Sequence, residues 1–582
     1  MRSRILLSVL PILLFVLASG CGTTKNCPVC GTTVNEGYGV IDIIPVPEHN
    51  PTGAPGGPFN SFDISVVDPL NHRFYISDRI GLDVVVVDTI RNLAIDTIGG
   101  ANEVAEAGIN ASPCDPTIPF LVSALGNPTR FGCRTAGFQI PGFGPNGLFG
   151  GFSGAQCCAS RGNSVNPLSC PCGIVVTADG KTMFVGNSSS TVVVFDLTTI
   201  DLTKTPPTPP NVIANVPTGQ SPDFDGPQGV GPCITSSQGR ALSDPTCGDL
   251  RADEMSYDEK DHVLLVANGD PGFPFVTLIN TAGMVTRPVT SNPCPAAHAG
   301  PYGPTNFPTC ILGQIYYDGA PSNNIGVAVD NQIGTMAGDF PCPDPSTSAP
   351  SGVSGTASAA TGSRNVPCHH GPILTMSGAF CDQATPASSC SGAISPAGIG
   401  GSAFNPNTGL FLVSNANATG DPTVGTIDVI DPRIGNSNGP VVVNSFVTPN
   451  CMPSGITQGP GNNFLVGCAD HDGVAFPPNE YVIDGKSGAI LATIDKVGGV
   501  DETWYNPGDN RYYLAARDMP TGAVMGVIDA KTNQWLQNVP TGSNSHSIAA
   551  DPLNNHIFVP LQASPRCTTQ SANGCVAVYA QQ

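Results

Sequence analysis

Residues 173–187 read GIVVTADGKTMFVGN, and residues 191–196 continue with TVVVFD. Runs rich in β-branched residues flank an Asp-Gly pair, which is typical of two strands joined by a tight turn. A third strand follows at Thr191–Asp196 and a fourth at Val212–Gly219. The unit is therefore a four-stranded meander, and its length lies within the period of roughly 40 to 50 residues expected of a propeller blade.

The same phrases recur along the chain. Second strands of this kind are Phe74–Ser77, Val263–Asn268, Leu410–Asn415 and Tyr512–Ala515, and third strands are Val84–Asp88, Val276–Asn280, Ile427–Asp431, Tyr481–Asp484 and Val524–Asp529. They resemble the YVTN-type propeller repeat, whose blades read roughly GIAVTPDGKTLYVAN followed by TVSVIDLATNTVVATIPVG. The resemblance spans nearly all of residues 38–582 and implies a propeller.

Seven first strands set the number of blades. They begin near Asp63, Gly173, Asp253, Gly400, Gly455, Asp501 and His546. The last unit supplies three strands, whereas Gly39–Val46 is a strand with no unit of its own, so we expect the N-terminal strand to close the last blade and protect the sheet edges. The predicted fold is an all-β, seven-bladed β-propeller of four-stranded blades over residues 38–582. The alternatives are an open β-solenoid or two sandwiches.

The N-terminal segment predicts export. Met1–Arg4 is basic and precedes the apolar run Ile5–Val16, which is too short to span a bilayer. Residues 17–21, LASGC, resemble a lipobox, which implies a lipoprotein signal peptide over residues 1–20, a lipidated Cys21 and a tether over residues 21–37. The alternative is an ordinary secretory peptide with Cys21 in a disulfide. The first interpretation makes a membrane the partner of the lipid anchor and the bacterial cell envelope the location, with Gly22 resembling the pattern sorted to the outer membrane.

Composition narrows the class of partner and the compartment. The formal net charge is −21, which repels phosphate backbones, so no nucleic acid partner is expected. The chain has 21 Cys, and setting aside Cys21 leaves an even number that is able to form ten disulfides in an oxidising compartment.

Three long insertions interrupt the repeat, at about residues 100–171, 218–251 and 289–397. Each is expected between the outermost strand of one blade and the innermost strand of the next, so all three leave the propeller on one face. They hold most of the cysteines and are predicted to be disulfide-rich. Loops of this length in a compact domain are usually functional, which places the working face there.

Candidate site residues gather where the innermost strands start. The two pairs Asp253-Glu254 and Asp501-Glu502 open their strands in the same way, and His546 opens the last strand. Strand ends on the loop-bearing face are able to point into the axial channel, so these side chains are expected to converge with Asp63 at the channel mouth.

Converging carboxylates repel each other unless a cation, a shared proton or a basic partner compensates. Oxygen ligands favour a divalent cation such as Ca²⁺ or Mg²⁺, and His546 admits a transition metal. The alternative is that these acids are structural and accept hydrogen bonds from neighbouring blades. A secondary candidate on the same face is Asp470-His471-Asp472.

Three classes of function remain open because the sequence contains no GxSxG nucleophile elbow, no Walker loop, no HExxH motif and no GxGxxG in a βαβ context. The first is a binding or scaffold propeller whose insertion-bearing face contacts an envelope protein, a glycan or a small ligand. The second, by analogy with gluconolactonase-like propellers, is a divalent-metal-dependent hydrolase or lactonase. A redox propeller with copper or a quinone cofactor ranks last.

Overall fold

The computed structural model describes residues 37–46, 59, 61–79, 83–99, 121–122, 128–129, 138–139, 148–149, 171–187, 191–203, 210–218, 252–268, 275–289, 293, 310–316, 368–370, 399–416, 424–432, 440–469, 478–542, 544–567 and 574–582. Within them the chain forms seven antiparallel sheets arranged as a seven-bladed β-propeller, which confirms the predicted fold. The helical segments among the described residues are short, namely the 3₁₀ turn Leu197–Thr199 and the α-helix Ala282–Val285. No described helix is long and apolar enough to cross a membrane.

The strands of each blade run from the axis outward in chain order. Blades 1 to 3 consist of Phe62–Asp68, Arg73–Asp78, Asp83–Asp88 and Leu93–Gly99; of Ile174–Val176, Thr182–Asn187, Thr191–Asp196 and Asn211–Pro217; and of Ala252–Asp258, Val263–Asn268, Phe275–Asn280 and Ile311–Tyr316. Blades 4 and 5 consist of Ile399–Asn405, Leu410–Asn415, Val424–Asp431 and Val441–Pro449; and of Met452–Gln458, Asn463–Ala469, Glu480–Asp484 and Ile490–Ile494. Blades 6 and 7 consist of Glu502–Asn506, Arg511–Ala516, Val524–Asp529 and Gln534–Pro540; and of Ala549–Asp551, His556–Leu561 and Cys575–Gln581, with Tyr38–Pro45 outermost.

The N-terminal strand closes the ring as predicted. Tyr38–Pro45 pairs antiparallel with Cys575–Gln581, and Ile43 lies opposite Ala577. Ile44 is fully buried in a cluster shared by blades 7 and 1, which includes Phe74 and Phe558 with their rings stacked at 5.1 Å. Both ends of the described chain are therefore held in one blade.

Blade 3 differs from the sequence analysis. Ile311–Tyr316, inside the range assigned to the third insertion, is the fourth strand of this blade, and Cys368–His370 adds a fifth strand parallel to it. The range 289–397 is thus divided between two connections, and only the one after Ile311–Tyr316 joins one blade to the next. The one before it connects the third and fourth strands of blade 3 and starts at the opposite face, so the prediction that the whole third insertion leaves the propeller on the face of the other two is wrong. The repeat pattern did not predict the strand Ile311–Tyr316, because about 30 residues separate it from Phe275–Asn280 where a short turn is expected. Two further pairs of two-residue strands lie within the first insertion, Leu121–Val122 with Pro128–Thr129 and Phe138–Gln139 with Leu148–Phe149.

A meander of four strands gives the propeller two distinct faces. The insertion face carries the connections between blades and the starts of the innermost strands, such as Asp63 and Asp253. The turn face, on the other side, carries the turns between first and second strands and between third and fourth strands, such as 69–72 and 89–92. The two faces carry different side chains.

A repeated irregularity marks the innermost strands at the insertion face. The pairing register shifts between Phe62 and Ser65 in blade 1 and between Ala252 and Met255 in blade 3, and equivalent shifts occur in blades 4 and 5. β-Bulges of this kind bend a strand and redirect its side chains. The skipped residues include Asp63, Asp253 and Glu254, so the bulge is the local reason that these acids leave the packed strand interior.

Candidate functional site

All six predicted residues at the channel mouth lie in the described part of the chain. Asp63 comes from blade 1, Asp253 and Glu254 from blade 3, Asp501 and Glu502 from blade 6, and His546 precedes the innermost strand of blade 7. Asp63, Asp253 and His546 are buried, and the other three are partly buried. Ion pairs and hydrogen bonds link side chains of different blades, so the structure brings the six into one polar cluster, the axial cluster.

Two glycines allow the inner strands to approach each other closely around this cluster. A Cβ on Gly173 would collide with the carbonyl oxygen of Asp253, and a Cβ on Gly455 would collide with that of Asp501. Gly455 N also donates to Asp501 O at 2.6 Å. Glycine is required where backbones come this close, and the result is that acids from separate blades share a small volume.

Arg79 compensates part of the acidic charge. It follows the second strand of blade 1, and its guanidinium forms a buried ion pair with Asp63 and lies 3.9 Å from Asp253. Arg79 was not predicted from the sequence, because its second partner, Asp253, belongs to another blade. A comparison of the blades could have identified it, because Arg79 and Arg517 each stand one residue after the second strand of their blade.

Arg517 plays the matching part in blade 6. Its guanidinium lies 2.9 Å from Asp501 and 3.1 Å from Asp518. The charge of Asp501, more than the opposing effect of burial, raises the pKa of Arg517 above its ordinary value. Ser454 of blade 5 donates from Oγ to Asp501 at 2.9 Å, so Asp501 is held by two blades.

Glu254 and Glu502 form an acid pair across the channel. Burial raises the pKa of Glu502 well above its ordinary value, and the charge of Glu254 and a hydrogen bond with it raise the pKa further. Asp501 and Asp63 add to the effect. Two hydrogen-bonded carboxyl groups in a shielded site hold one proton between them, because both cannot be ionised at low cost.

His546 is fixed between two backbone carbonyls. Nδ1 lies 2.9 Å from Asn544 O and Nε2 lies 3.0 Å from Phe62 O, while Nε2 is 3.7 Å from Asp63 Oδ1. The ring stacks on Phe62 at 4.8 Å.

One subset of the cluster has the geometry of metal ligands. Ligand atoms of Asp63, Cys172 and Asp253 all lie within 4.8 Å of one another, and all three residues are buried. Cys172 is buried and, among the described residues, is present as a thiol. The number of cysteines does not predict which of them lies beside acids from other blades, so the position of Cys172 was not predicted.

Disulfides are present elsewhere at the insertion face. Cys451 pairs with Cys468 in blade 5, and Cys567 pairs with Cys575 in blade 7. Each bond joins neighbouring strand ends of its blade. Three sequence predictions lie outside the described residues, namely Cys21, the group Asp470-His471-Asp472, and most of the cysteines assigned to the insertions.

Comparisons with known proteins leave the function open. No family model and no curated protein matches the chain, so the YVTN resemblance stays a prediction. One similar solved structure is a chain of "Crystal Structure of Mitotic Checkpoint Complex", with 8% identity and a TM-score of 0.44 over 97% of this chain and 100% of that one. Another is a chain of "Kuenenia stuttgartiensis Hydrazine Synthase", with 12% identity and a TM-score of 0.42 over 90% and 96%. Neither similarity supports a functional argument.

Proposed function

We propose that this chain is an exported, lipid-anchored envelope protein whose propeller binds a ligand at the insertion face, with the axial cluster receiving a positively charged group of that ligand. The observation that carries the proposal is the convergence of acids from blades 1, 3 and 6 in one shielded volume. Such a volume exposes negative charge to a ligand that enters along the axis.

The charge balance favours a cationic group. Among the described residues of the axial cluster, five carboxyl groups face the two guanidinium groups of Arg79 and Arg517 and the imidazole of His546. Even with one proton shared by Glu254 and Glu502, and with His546 protonated, the negative charges exceed the positive ones. An amine or a metal ion supplies the missing positive charge, whereas a phosphate or carboxylate is repelled.

The experiment is a binding survey with matched variants. The oxidatively folded mature chain is equilibrated with organic diamines and with Zn²⁺, Ca²⁺ and Mg²⁺ and analysed by native mass spectrometry. Asp253→Asn removes one charge from the cluster, and Asp529→Asn removes one charge from a turn on the opposite face. We expect cation binding that Asp253→Asn weakens at least tenfold and Asp529→Asn leaves unchanged. Equal behaviour of both variants, or no cation bound by the wild type, would contradict the proposal.

A second candidate function is a metal-dependent hydrolase, and the specific observation in its favour is the group Asp63, Cys172 and Asp253. A set of three protein ligands that leaves a fourth position open is the arrangement of catalytic zinc sites. The thiolate favours Zn²⁺ over the hard cations Ca²⁺ and Mg²⁺ expected from the acids alone. Arg79 opposes this function because its guanidinium already forms an ion pair with Asp63 and lies 3.9 Å from Asp253, so it competes with a metal ion for these carboxylates.

The two candidates predict different results for one variant. Cys172→Ser removes the soft ligand and leaves the carboxylates in place. If the chain is a zinc hydrolase, elemental mass spectrometry shows near-stoichiometric zinc in the wild type and its loss in Cys172→Ser, together with loss of ester or lactone hydrolysis. If the cluster receives a cationic ligand group, diamine binding persists in Cys172→Ser.

The lipid anchor is tested separately from the ligand. Mass spectrometry of the N-terminal peptide from the chain expressed in a bacterial host should show a diacylglycerol-modified Cys21 as the first residue. An unmodified Cys21, or cleavage elsewhere, would contradict the anchoring part of the proposal and leave the ligand part standing.

A further inference from the structure

Three large apolar side chains are exposed together on the turn face. Leu70 is 62% exposed, Ile90 is 60% exposed and Leu553 is 64% exposed. Leu70 and Ile90 lie in the two turns of blade 1, and Leu553 lies in the first turn of blade 7. These residues are called the seam patch, because blades 7 and 1 meet where the ring closes.

A single buried threonine joins the three turns. Thr89 N donates to His72 O at 3.0 Å in the turn of Leu70, and Thr89 Oγ1 donates to Asp551 Oδ2 at 2.5 Å in the turn of Leu553. Asn554 Nδ2 donates back to Thr89 O at 2.9 Å. Ile90 is the next residue after Thr89. The seam patch is therefore one surface with fixed spacing, and not three independent loops.

The other blades show that apolar residues are not required at these positions. Leu70, Ile90 and Leu553 each stand two residues after an Asp whose carboxylate accepts their backbone N–H. The described residues in the same relation to an Asp in other turns of this face are Lys260 in blade 3, Lys486 in blade 5, Lys531 in blade 6, and Lys181, Thr198 and Thr203 in blade 2. The turn chemistry thus accepts polar side chains, and the apolar ones are confined to the seam.

The N-terminal tether leaves the propeller from the same face, at blade 7. Tyr38 starts the outermost strand of blade 7 opposite Gln581, at the turn-face end of that strand, and Gln582 N donates to Gly37 O at 2.9 Å. Sixteen residues, 22–37, separate this point from Cys21. They span at most about 55 Å when fully extended, so an anchored propeller stays close to the membrane and its turn face is able to reach it.

We propose that the seam patch is a membrane-contact surface that inserts its three apolar tips into the bilayer to which the tether is anchored, which turns the insertion face towards the surroundings. This inference rests on the proposed anchoring at Cys21. The lysines at the other turn tips suit the phosphates of lipid headgroups, while the net charge of −21 gives the whole chain no attraction to an anionic membrane. Apolar contact beside the tether then decides which side of the propeller meets the lipid.

The test places an indole in the patch and measures its contact with lipid chains. A chain starting at residue 22 is attached through an N-terminal histidine tag to vesicles of phosphatidylcholine with a few per cent nickel-chelating lipid, so that the attachment does not depend on Cys21. Leu553→Trp is compared with Lys260→Trp, which has the same turn geometry in blade 3, both in a Trp535→Phe background. The readout is the fluorescence lost when the phosphatidylcholine carries brominated acyl chains.

We expect the added indole of Leu553→Trp to be quenched at least twice as strongly as that of Lys260→Trp, and Ile90→Asp in the Leu553→Trp chain to abolish the difference. Equal quenching of the two indoles, or no quenching at residue 553, would overturn the proposal. A dimer in sedimentation that Ile90→Asp dissolves, without quenching by lipid, would also overturn it and assign the patch to a second copy of the chain. Failure of lipid attachment at Cys21 is read from the mass of that peptide and does not affect this assay.

Discussion

Replacing Ile44 with alanine tests whether the N-terminal strand closes the propeller. Ile44 is 0% exposed and packs in the cluster between blades 7 and 1, whereas Ile41 on the same strand is 42% exposed. Ile44→Ala removes buried methyl and methylene groups and leaves a cavity. The stacked rings of Phe74 and Phe558 limit how far the cluster collapses into that cavity. We expect a loss of about 3 to 4 kcal/mol in the free energy of unfolding, within the range for buried large-to-small substitutions.

Ile41→Ala is the control, and we expect it to cost less than about 1 kcal/mol because the side chain is largely in solvent. Urea unfolding followed by tryptophan fluorescence measures both variants, and Trp504 packs against the same cluster and so reports on the seam. If Ile44→Ala cost no more than Ile41→Ala, the N-terminal strand would not be part of the packed ring, and the closure of the propeller would need another explanation.

Three further predictions concern buried titratable groups. Burial raises the pKa of Asp428 to about 6 despite hydrogen bonds from Asn415, Ser445 and Thr426. The pKa in the folded chain therefore exceeds that in the unfolded chain. The protonated carboxyl group contributes fully to stability below about pH 4, and this contribution is lost as the pH rises through 6. Asp428→Asn should therefore remove about 3 kcal/mol of pH dependence between pH 4 and 8 in urea unfolding, and an unchanged slope would contradict this. Burial raises the pKa of Glu502 and the charge of Glu254 raises it further, so Glu254→Gln should lower this pKa and weaken the infrared band of protonated carboxyl groups at neutral pH. An unchanged band would mean that Glu254 does not hold a proton on Glu502. Under denaturing, non-reducing conditions, wild type should take up one alkyl group more than Cys172→Ser, whereas equal uptake would place Cys172 in a disulfide.

The architecture was predictable because the same pattern of strands and turns occurs in one blade after another. Apolar strands joined by short polar turns recur around the ring, so the weak signal of one strand, such as Phe62–Asp68, is supported by its position in the period. Closure by Tyr38–Pro45 followed from counting three strands in the last unit. The strand Ile311–Tyr316 did not follow, because its distance from the preceding strand breaks the period.

The candidate site was predictable only as far as position in a repeat allows. Asp253 and Asp501 were recognisable since they occupy the same place at the start of innermost strands. Arg79 and Cys172 were not, because their contacts with Asp253 join different blades and depend on how the ring brings strand ends together. The bulges that redirect the acids are likewise a property of pairing between strands, which a single sequence does not display.

The proton shared by Glu254 and Glu502 offers the most direct test of the claim that the axial cluster receives a positive charge. A cation that enters the cluster stabilises the ionised form of both carboxyl groups and so releases the shared proton. Isothermal titration at pH 7 with the cation found in the binding survey, repeated in buffers of different ionisation enthalpy, counts the protons released. The account predicts release of about one proton per cation in the wild type and of fewer in Glu254→Gln. Binding without proton release in the wild type, or the same release in the variant, would place the cation elsewhere and contradict it.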